Sequence, residues 1–324
     1  MSGINVPPVL IVGFNRPEYT QQVFDVVRQA KPKQLFLALD APRDNRPDDI
    51  PGYETCKKIF DSVDWDCEVK CNYATENMGC RDRMVSAITW LFDNVEQGII
   101  FEDDVVPDIT FFRYCGELLE KYKTDTRIGM IAGHDEHLHP ECVPTYGDSY
   151  YFDRMATISG WATWRRAWKL FQPDMGFWPE LSKRFELFDV IFRSKAYTRR
   201  RARYSWQLYR REAGAWAGIW MNTLYKENML CIHPARNLIS HIGVKSVRAG
   251  LRDSPYDNRK RFAMQFPLKH PIAMIPNEVS EHYYLRDICC FDFTLRQKIG
   301  RVAYRIFAKL ARELKHLKEK VVTR

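Results

Sequence analysis

The 324-residue chain is 45% apolar and 14% aromatic, enough to fill a substantial core, which excludes a disordered or fibrous protein. Its formal charge of +8 is unevenly held: residues 291–324 carry ten Lys/Arg against three Asp/Glu, so +7 of it lies in that tail. The body, with 39 basic and 38 acidic residues, is nearly neutral, which excludes a general nucleic-acid-binding surface and leaves a local basic appendage.

Met1 to Asn5 lack the basic start and apolar run of a secretion signal. No uncharged stretch approaches the roughly 20 residues that span a bilayer, so a cytoplasmic protein is expected. The nine cysteines, an odd number without a C-x-x-C pair, read as reduced and mostly buried thiols.

In chain order, short apolar runs alternate with amphipathic ones, the rhythm of strands joined by crossover helices in a parallel sheet. Val9–Gly13 is the first expected strand. Residues 17–29 follow as a helix, with Val23, Val26 and Val27 on one face and Pro17 in its permissible first turn. Gln34–Leu39 is a second strand, ending at Asp40. Beyond a polar, proline-rich loop over residues 41–51 come a helix near 53–62 and a third strand over 67–73. Residues 81–95 place Met84, Val85, Ile88, Leu91 and Phe92 at helical spacing. Residues 98–101 are a fourth strand that runs straight into Glu102-Asp103-Asp104. A helix over 111–122 and a fifth strand, Ile128–Ala132, close this part.

Past residue 135 the pattern loosens, and Trp161, Trp164, Trp168, Trp178, Trp206, Trp216 and Trp220 fall within 60 residues. The expected division is a first lobe over 1–135, an aromatic-rich lobe over 136–275, and a basic tail over 276–324. In the tail, Leu295, Ile299, Val302, Ile306, Leu310, Leu314 and Leu317 form one stripe with Lys and Arg opposite. Such a basic amphipathic helix suits an anionic membrane surface, with the chain peripheral at the inner face of the membrane. A solvated helix packed on the body is the alternative.

In open α/β sheets ligands bind beyond the carboxyl ends of the strands. The sequence puts Gly13-Phe14-Asn15-Arg16, Asp40 and Glu102-Asp103-Asp104 there. A bare acidic triplet after a strand is ordinarily a solvated turn. Here Ile99-Ile100-Phe101 precede it and Val105-Val106-Pro107 follow, an apolar wall that is costly for unpaired charges. Carboxylates alone would repel a diphosphate, so the edge implies a bridging divalent cation, magnesium or manganese.

The string Asn77-x-Gly79, a helix, Ile99-Ile100-Phe101-Glu102-Asp103-Asp104-Val105 and then Phe111-Phe112 resembles glycosyltransferases of the GT-A type. Within these it is similar to the family-2-like group and to the N-acetylglucosaminyltransferase I kind. Ser159 to Trp168 and Pro234-x-x-Asn237-Leu238-Ile239-x-x-Ile242-Gly243 look like segments of bacterial members, and the resemblance covers roughly residues 8 to 250. It implies a Rossmann-like, mostly parallel sheet flanked by helices and a metal-dependent transfer. A hexose or N-acetylhexosamine would pass from a nucleotide diphosphate sugar to a hydroxyl of a glycan or lipid-linked acceptor.

Carried over by position, the resemblance implies that Asn15 and Arg16 lie in the nucleotide pocket and that Asp40 reads the base or ribose. Asp104 would ligate the metal, with Glu102 and Asp103 orienting ribose and sugar. Asn77, Gly79 and Arg81 would border the diphosphate, glycine allowing close approach and arginine offering a fork of donors. His241 falls where such enzymes supply a late histidine to the metal, and a satisfied core histidine is the bland alternative. Trp161, Trp164 and Trp168 are spaced as on a helix; they are either a buried face or, at Trp161, an indole stacked on a sugar ring. His134, His137 and His139 follow the fifth strand and are expected on the acceptor side.

The chain departs from the resemblance at the catalytic base, since Ala217 stands in Trp216-Ala217-Gly218-Ile219-Trp220 where relatives carry Asp. Glu212 and Asp253 are the candidate substitutes, because an inverting transfer needs a carboxylate to take the acceptor proton. Ala217 also fits a catalytically decayed carbohydrate- or nucleotide-sugar-binding relative. A sugar nucleotidyltransferase would want a Gly-rich, Lys/Arg-bearing signature that Gly13-Phe14-Asn15-Arg16-Pro17 lacks.

Overall fold

The computed structural model describes residues 6–134, 143–189, 194–243 and 258–285. Its first half follows the apolar pattern closely. Strands β1 (Val9–Gly13), β2 (Gln34–Leu39), β3 (Glu68–Tyr73) and β4 (Gln97–Glu102) are joined by helices α1 (Pro17–Ala30), α2 (Asp49–Phe60) and α3 (Gly79–Asn94). Every residue of β1 is buried, as a strand covered on both faces must be. Next come β5 (Val105–Pro107), α4 (Thr110–Lys121) and β6 (Ile128–Ala132).

The remaining elements are β7 (Tyr150–Asp153), β8 (Trp161–Trp164), α5 (Arg165–Trp168), α6 (Trp178–Ser182), α7 (Lys195–Tyr209) and α8 (Trp216–Lys226), then β9 (Leu230–Pro234), β10 (Ile239–His241) and α9 (Glu278–Tyr283). Among the described residues eight strands form one sheet in the order β3-β2-β1-β4-β8-β6-β9-β7. Only β8 and β7 run against the rest, so the sheet is mostly parallel and flanked by helices, as expected.

The order reverses beside β1: β2 and β3 lie on one side of it, β4 on the other. The carboxyl ends of β1 and β4 therefore bound a crevice at a switch point, with Val12 in register with Glu102. Loops leaving these two strands, Gly13 to Arg16 and Glu102 to Asp104, are brought together by topology alone.

Residue 135 is no boundary within the sheet, because β6, β7, β8 and β9 complete it from both sides of that position. What stands apart is a satellite cluster around Met155, Trp178, Phe185, Tyr197, Ile219 and Tyr225. The tryptophan segment is also not one helix. Residues 161–164 are a strand wedged antiparallel between β4 and β6, followed by the single turn of α5. Strand alternation sends Trp161 to one face and Ala162 and Trp164 to the other.

Trp161 is 1% exposed and packs against Trp216 and Trp220 at ring-centroid distances of 6.0 and 5.7 Å. It is a core residue. No face is left for a sugar, which corrects the stacking role expected of it.

Strand β10 pairs antiparallel with β5, matching Ile239 to Pro107 and His241 to Val105. Its Ile239 sits in a notch made by two glycines. A Cβ on Gly133 would lie 2.5 Å from Ile239 Cγ1, and one on Gly160, whose φ is +62°, would lie 2.7 Å from Ile239 Cδ1. Among the described residues no helix is long and apolar enough to cross a membrane, and the amphipathic stripe of the tail lies outside them.

Helix α9 is pinned to β7 by a buried polar cluster. Ser280 donates to Asp153, and Arg154 pairs with Glu281 at 2.7 Å. Burial pushes Asp153 up to about 7, against the pull of Ser280 and nearby backbone amides. Burial, with the charge of Asp153 behind it, pushes Glu281 up to about 7 as well. Both acids are thus raised above their unfolded values, so between about pH 4 and pH 7 the native state holds protons that the unfolded chain has released. Stability from this cluster is complete below that window and declines as pH rises through it. Urea unfolding at pH 5 and pH 8 should show a lower midpoint at pH 8, and the difference should shrink in Asp153→Asn/Glu281→Gln. The same pH profile in both proteins would rule the cluster out as its source.

Candidate functional site

The three acids at the end of β4 sit in different surroundings. Asp103 and Asp104 are 3% and 5% exposed, whereas Glu102 keeps a partly exposed edge. Burial, then the charges of Asp104 and Asp103, pushes Glu102 up to about 8. Burial pushes Asp103 up to about 6, with Arg16 opposing it.

Arg16, from the loop after β1, reaches into this cluster. Its Nη2 and Nε donate to the two oxygens of Asp103, and its Nη1 donates to Asp104 Oδ2 at 2.8 Å. The fork-on-carboxylate geometry is the strong form of an ion pair. Burial works against the guanidinium charge, but Asp103 and Asp104 outweigh it and hold Arg16 well above the usual arginine range.

The other oxygen of Asp104 is left over. Oδ1 is buried and without a hydrogen bond, and the His241 ring lies 3.6 Å away through Nε2. That gap is too long for a hydrogen bond. It suits two ligands each about 2 Å from one cation. The β5–β10 ribbon makes this approach possible: Ile242 N–H donates to Asp104 O at 2.9 Å. At Gly243 a Cβ would fall 2.0 Å from Asp104 Oδ2, so only glycine fits.

An orphaned carboxylate oxygen facing an imidazole nitrogen fits a divalent cation, and the imidazole favours manganese over magnesium. No group of three or more His, Cys, Asp or Glu is poised as a cage among the described residues. Two protein ligands suit a cation that completes its shell with oxygens from a bound ligand.

Asp40 is a staple for the neighbouring loop. Its carboxylate accepts from the backbone N–H of Ala41, Met78 and Gly79 and from Asn77 Nδ2, at 2.9 to 3.2 Å. With its oxygens so engaged and 5% exposure, it shapes the crevice rather than offering a free carboxylate to a base or ribose. Asn15 donates to Asp49, which Arg43 also grips from Nε and Nη2 at 2.6 and 2.7 Å. Hydrogen bonds from Arg43 hold Asp49 down to about 2, against its burial. Asp49 escapes a reading of the sequence because it looks like one more polar residue of a proline-rich loop; its place as the first residue of α2 is the one local signal.

Arg81 turns away from the crevice. Its guanidinium donates to the carbonyls of Pro173, Leu208 and Ala213 at 2.8, 3.3 and 3.4 Å. Spent on backbone, it anchors the turn after α7 instead of bordering a diphosphate. Asp82 pairs with Arg211 of that turn at 3.4 Å.

Glu212 belongs to the same turn, with its amide bonded to Gln207 O and its side chain 55% exposed beside Arg210. It makes no contact with the acids among the described residues. Asp253, His137 and His139 lie outside the described residues, and His134 is buried at the end of β6.

Asp40→Ala strands the amides of Met78 and Gly79 and should cost about 2 kcal/mol or more of unfolding free energy. Hydrogen exchange at those amides should quicken; unchanged protection would show that Asp40 does not hold the loop.

No family model matches the sequence, and no curated protein matches it. Among solved structures, a UDP-glucose pyrophosphorylase complexed with UDP-glucose is 8% identical over 51% of this chain and 78% of its own, with a TM-score of 0.31. The 4-diphosphocytidyl-2C-methyl-D-erythritol synthase of Anaerococcus prevotii is 10% identical over 52% of this chain and 74% of its own, at 0.27. Likeness this slight carries no weight for activity.

Proposed function

We propose that the chain is a divalent-cation-dependent glycosyltransferase that moves a hexose or N-acetylhexosamine from a nucleotide diphosphate sugar to an acceptor hydroxyl. The single observation behind this is the buried, unsatisfied Asp104 Oδ1 facing His241 Nε2 at 3.6 Å, at the switch point of a mostly parallel sheet. Manganese or magnesium held there would screen charge on the leaving diphosphate.

The chain's own residues do the rest. Arg16 fixes Asp103 and one oxygen of Asp104, which leaves the other oxygen aimed at His241. Its guanidinium also brings hydrogen-bond donors to the edge where a diphosphate would lie. Asp40 and Asn77 set the wall of the crevice through the loop they hold. Ala217 packs against the tryptophan cluster and offers no base. Glu212 and Asp253 are the two candidates for taking the acceptor proton; Glu212 stands exposed beside Arg210, and Asp253 lies outside the described residues.

A second reading rests on Arg16, which already pairs with both Asp103 and Asp104 from within the chain and meets part of their need for positive charge. With Ala217 in place of a base, that arrangement suits a relative that binds nucleotide sugars without turnover. A sugar nucleotidyltransferase remains the other enzymatic alternative.

Calorimetric titration with UDP- and GDP-sugars separates these readings. Manganese should strengthen binding at least about tenfold in the wild type, and Asp104→Ala should erase that gain while the unfolding midpoint is kept. Equal affinity with and without manganese would refute cation dependence. In an active preparation, Glu212→Gln should lower turnover about a hundredfold with donor affinity retained. Full turnover in that variant would pass the role to Asp253.

A further inference from the structure

A cavity of about 580 Å³ opens on the other side of β10, lined by Gln29, Ser240, Asn258, Arg259, Lys260 and Arg261. We propose that it binds a phosphate group, that of a phosphorylated acceptor. This rests on the transferase reading and names the acceptor's chemical class.

The cations around it are held in place. Asn258 N–H donates to His241 O at 3.0 Å, Lys260 O accepts from Asn237 Nδ2 at 3.0 Å, and Phe262 N–H donates to Asn237 O at 2.8 Å. Arg261 is tethered further by Nη1 to Pro107 O at 2.7 Å. This anchored backbone brings Arg259, Lys260 and Arg261 to the lining of one cavity. Among the described residues neither Lys260 nor Arg261 has a carboxylate partner.

The acid in the lining, Asp108, is engaged through Oδ1 by the amide and hydroxyl of Thr110 at the start of α4. Like charges crowded at one cavity repel each other, and an anion with several oxygens relieves that repulsion while accepting from guanidinium, ammonium and the Gln29 amide. The volume exceeds what a bare phosphate needs, leaving room for the group it esterifies.

Position supports an acceptor rather than a donor. Ser240 lines the cavity and its neighbour His241 faces Asp104, so the cavity and the cation ligand share one three-residue strand. The loops of Asn15 and Asp40, where a nucleotide is expected, belong instead to β1 and β2. A phosphate seated beside β10 would tether an acceptor to the strand that carries the cation ligand, on the face opposite Asp104, without competing for the acids.

The test uses the full chain with metal chelated, so that the donor site stays silent, and inorganic phosphate as the probe in a 31P NMR titration. Wild type should bind, and Lys260→Ala/Arg261→Ala should bind at least tenfold more weakly while its unfolding midpoint is kept. Asp104→Ala should retain phosphate affinity. No binding by wild type, or equal binding by the double variant, overturns the proposal; so does loss of binding only in Asp104→Ala, which would put the phosphate at the acids.

Two further arms identify the source: a hexose 1-phosphate in solution, and a polyprenyl phosphate in phosphatidylcholine vesicles. Binding in either arm that the double variant loses supports a phosphorylated acceptor, and failure in both overturns it. If manganese fails to strengthen donor binding while these results hold, the transferase reading falls and the anion site stands.

Discussion

Two buried aspartates at the end of one strand, with Glu102 crowded beside them, require a counter-charge, and much of the crevice is arranged around that need. Arg16 supplies it from the neighbouring parallel strand, which is why the adjacency of β1 and β4 matters more than either sequence stretch alone. A guanidinium can neutralise Asp103 fully and Asp104 only by half, because its fork matches one carboxylate. The leftover oxygen is therefore a geometric outcome of pairing one arginine with two acids. Burying such an atom costs about 1 to 3 kcal/mol, a strain the fold carries where a cation would relieve it.

Much of the first sheet half was legible in the sequence because its signals are local. Val9–Gly13, Gln34–Leu39 and Ile128–Ala132 are apolar runs with buried sides, and they form strands at those bounds. The later half was not legible because β8 enters a parallel sheet backwards, pairing Ile100 with Trp161 and Ala132 with Trp161 across long stretches of chain. No window of the sequence contains that pairing. Trp161, Trp164 and Trp168 satisfy a helical spacing by coincidence, since Trp168 returns to the Trp161 face by way of α5.

The site shows the same division. The placement of Glu102, Asp103 and Asp104 at a strand end follows from the run before them. The use made of Asp40 and Arg81 does not, because most partners of both are groups far along the chain. A side chain's type predicts which bonds it can make; topology decides which groups reach it. Asp49 illustrates the converse, a residue with no motif that gathers Asn15 and Arg43 into one network.

The glycine notch around Ile239 has a consequence for how the site tolerates error. The β5–β10 ribbon is only three residue pairs long, and short two-stranded pairings slip easily. A slip of one residue would turn His241 to the opposite face and present Ser240 or Ile242 to Asp104. Ile239, seated where Gly133 and Gly160 leave no room for another side chain, acts as a detent against that slide. The spacing between Asp104 and His241 is thus set by a mechanical stop at the other end of the same short strand, made entirely of apolar and backbone atoms.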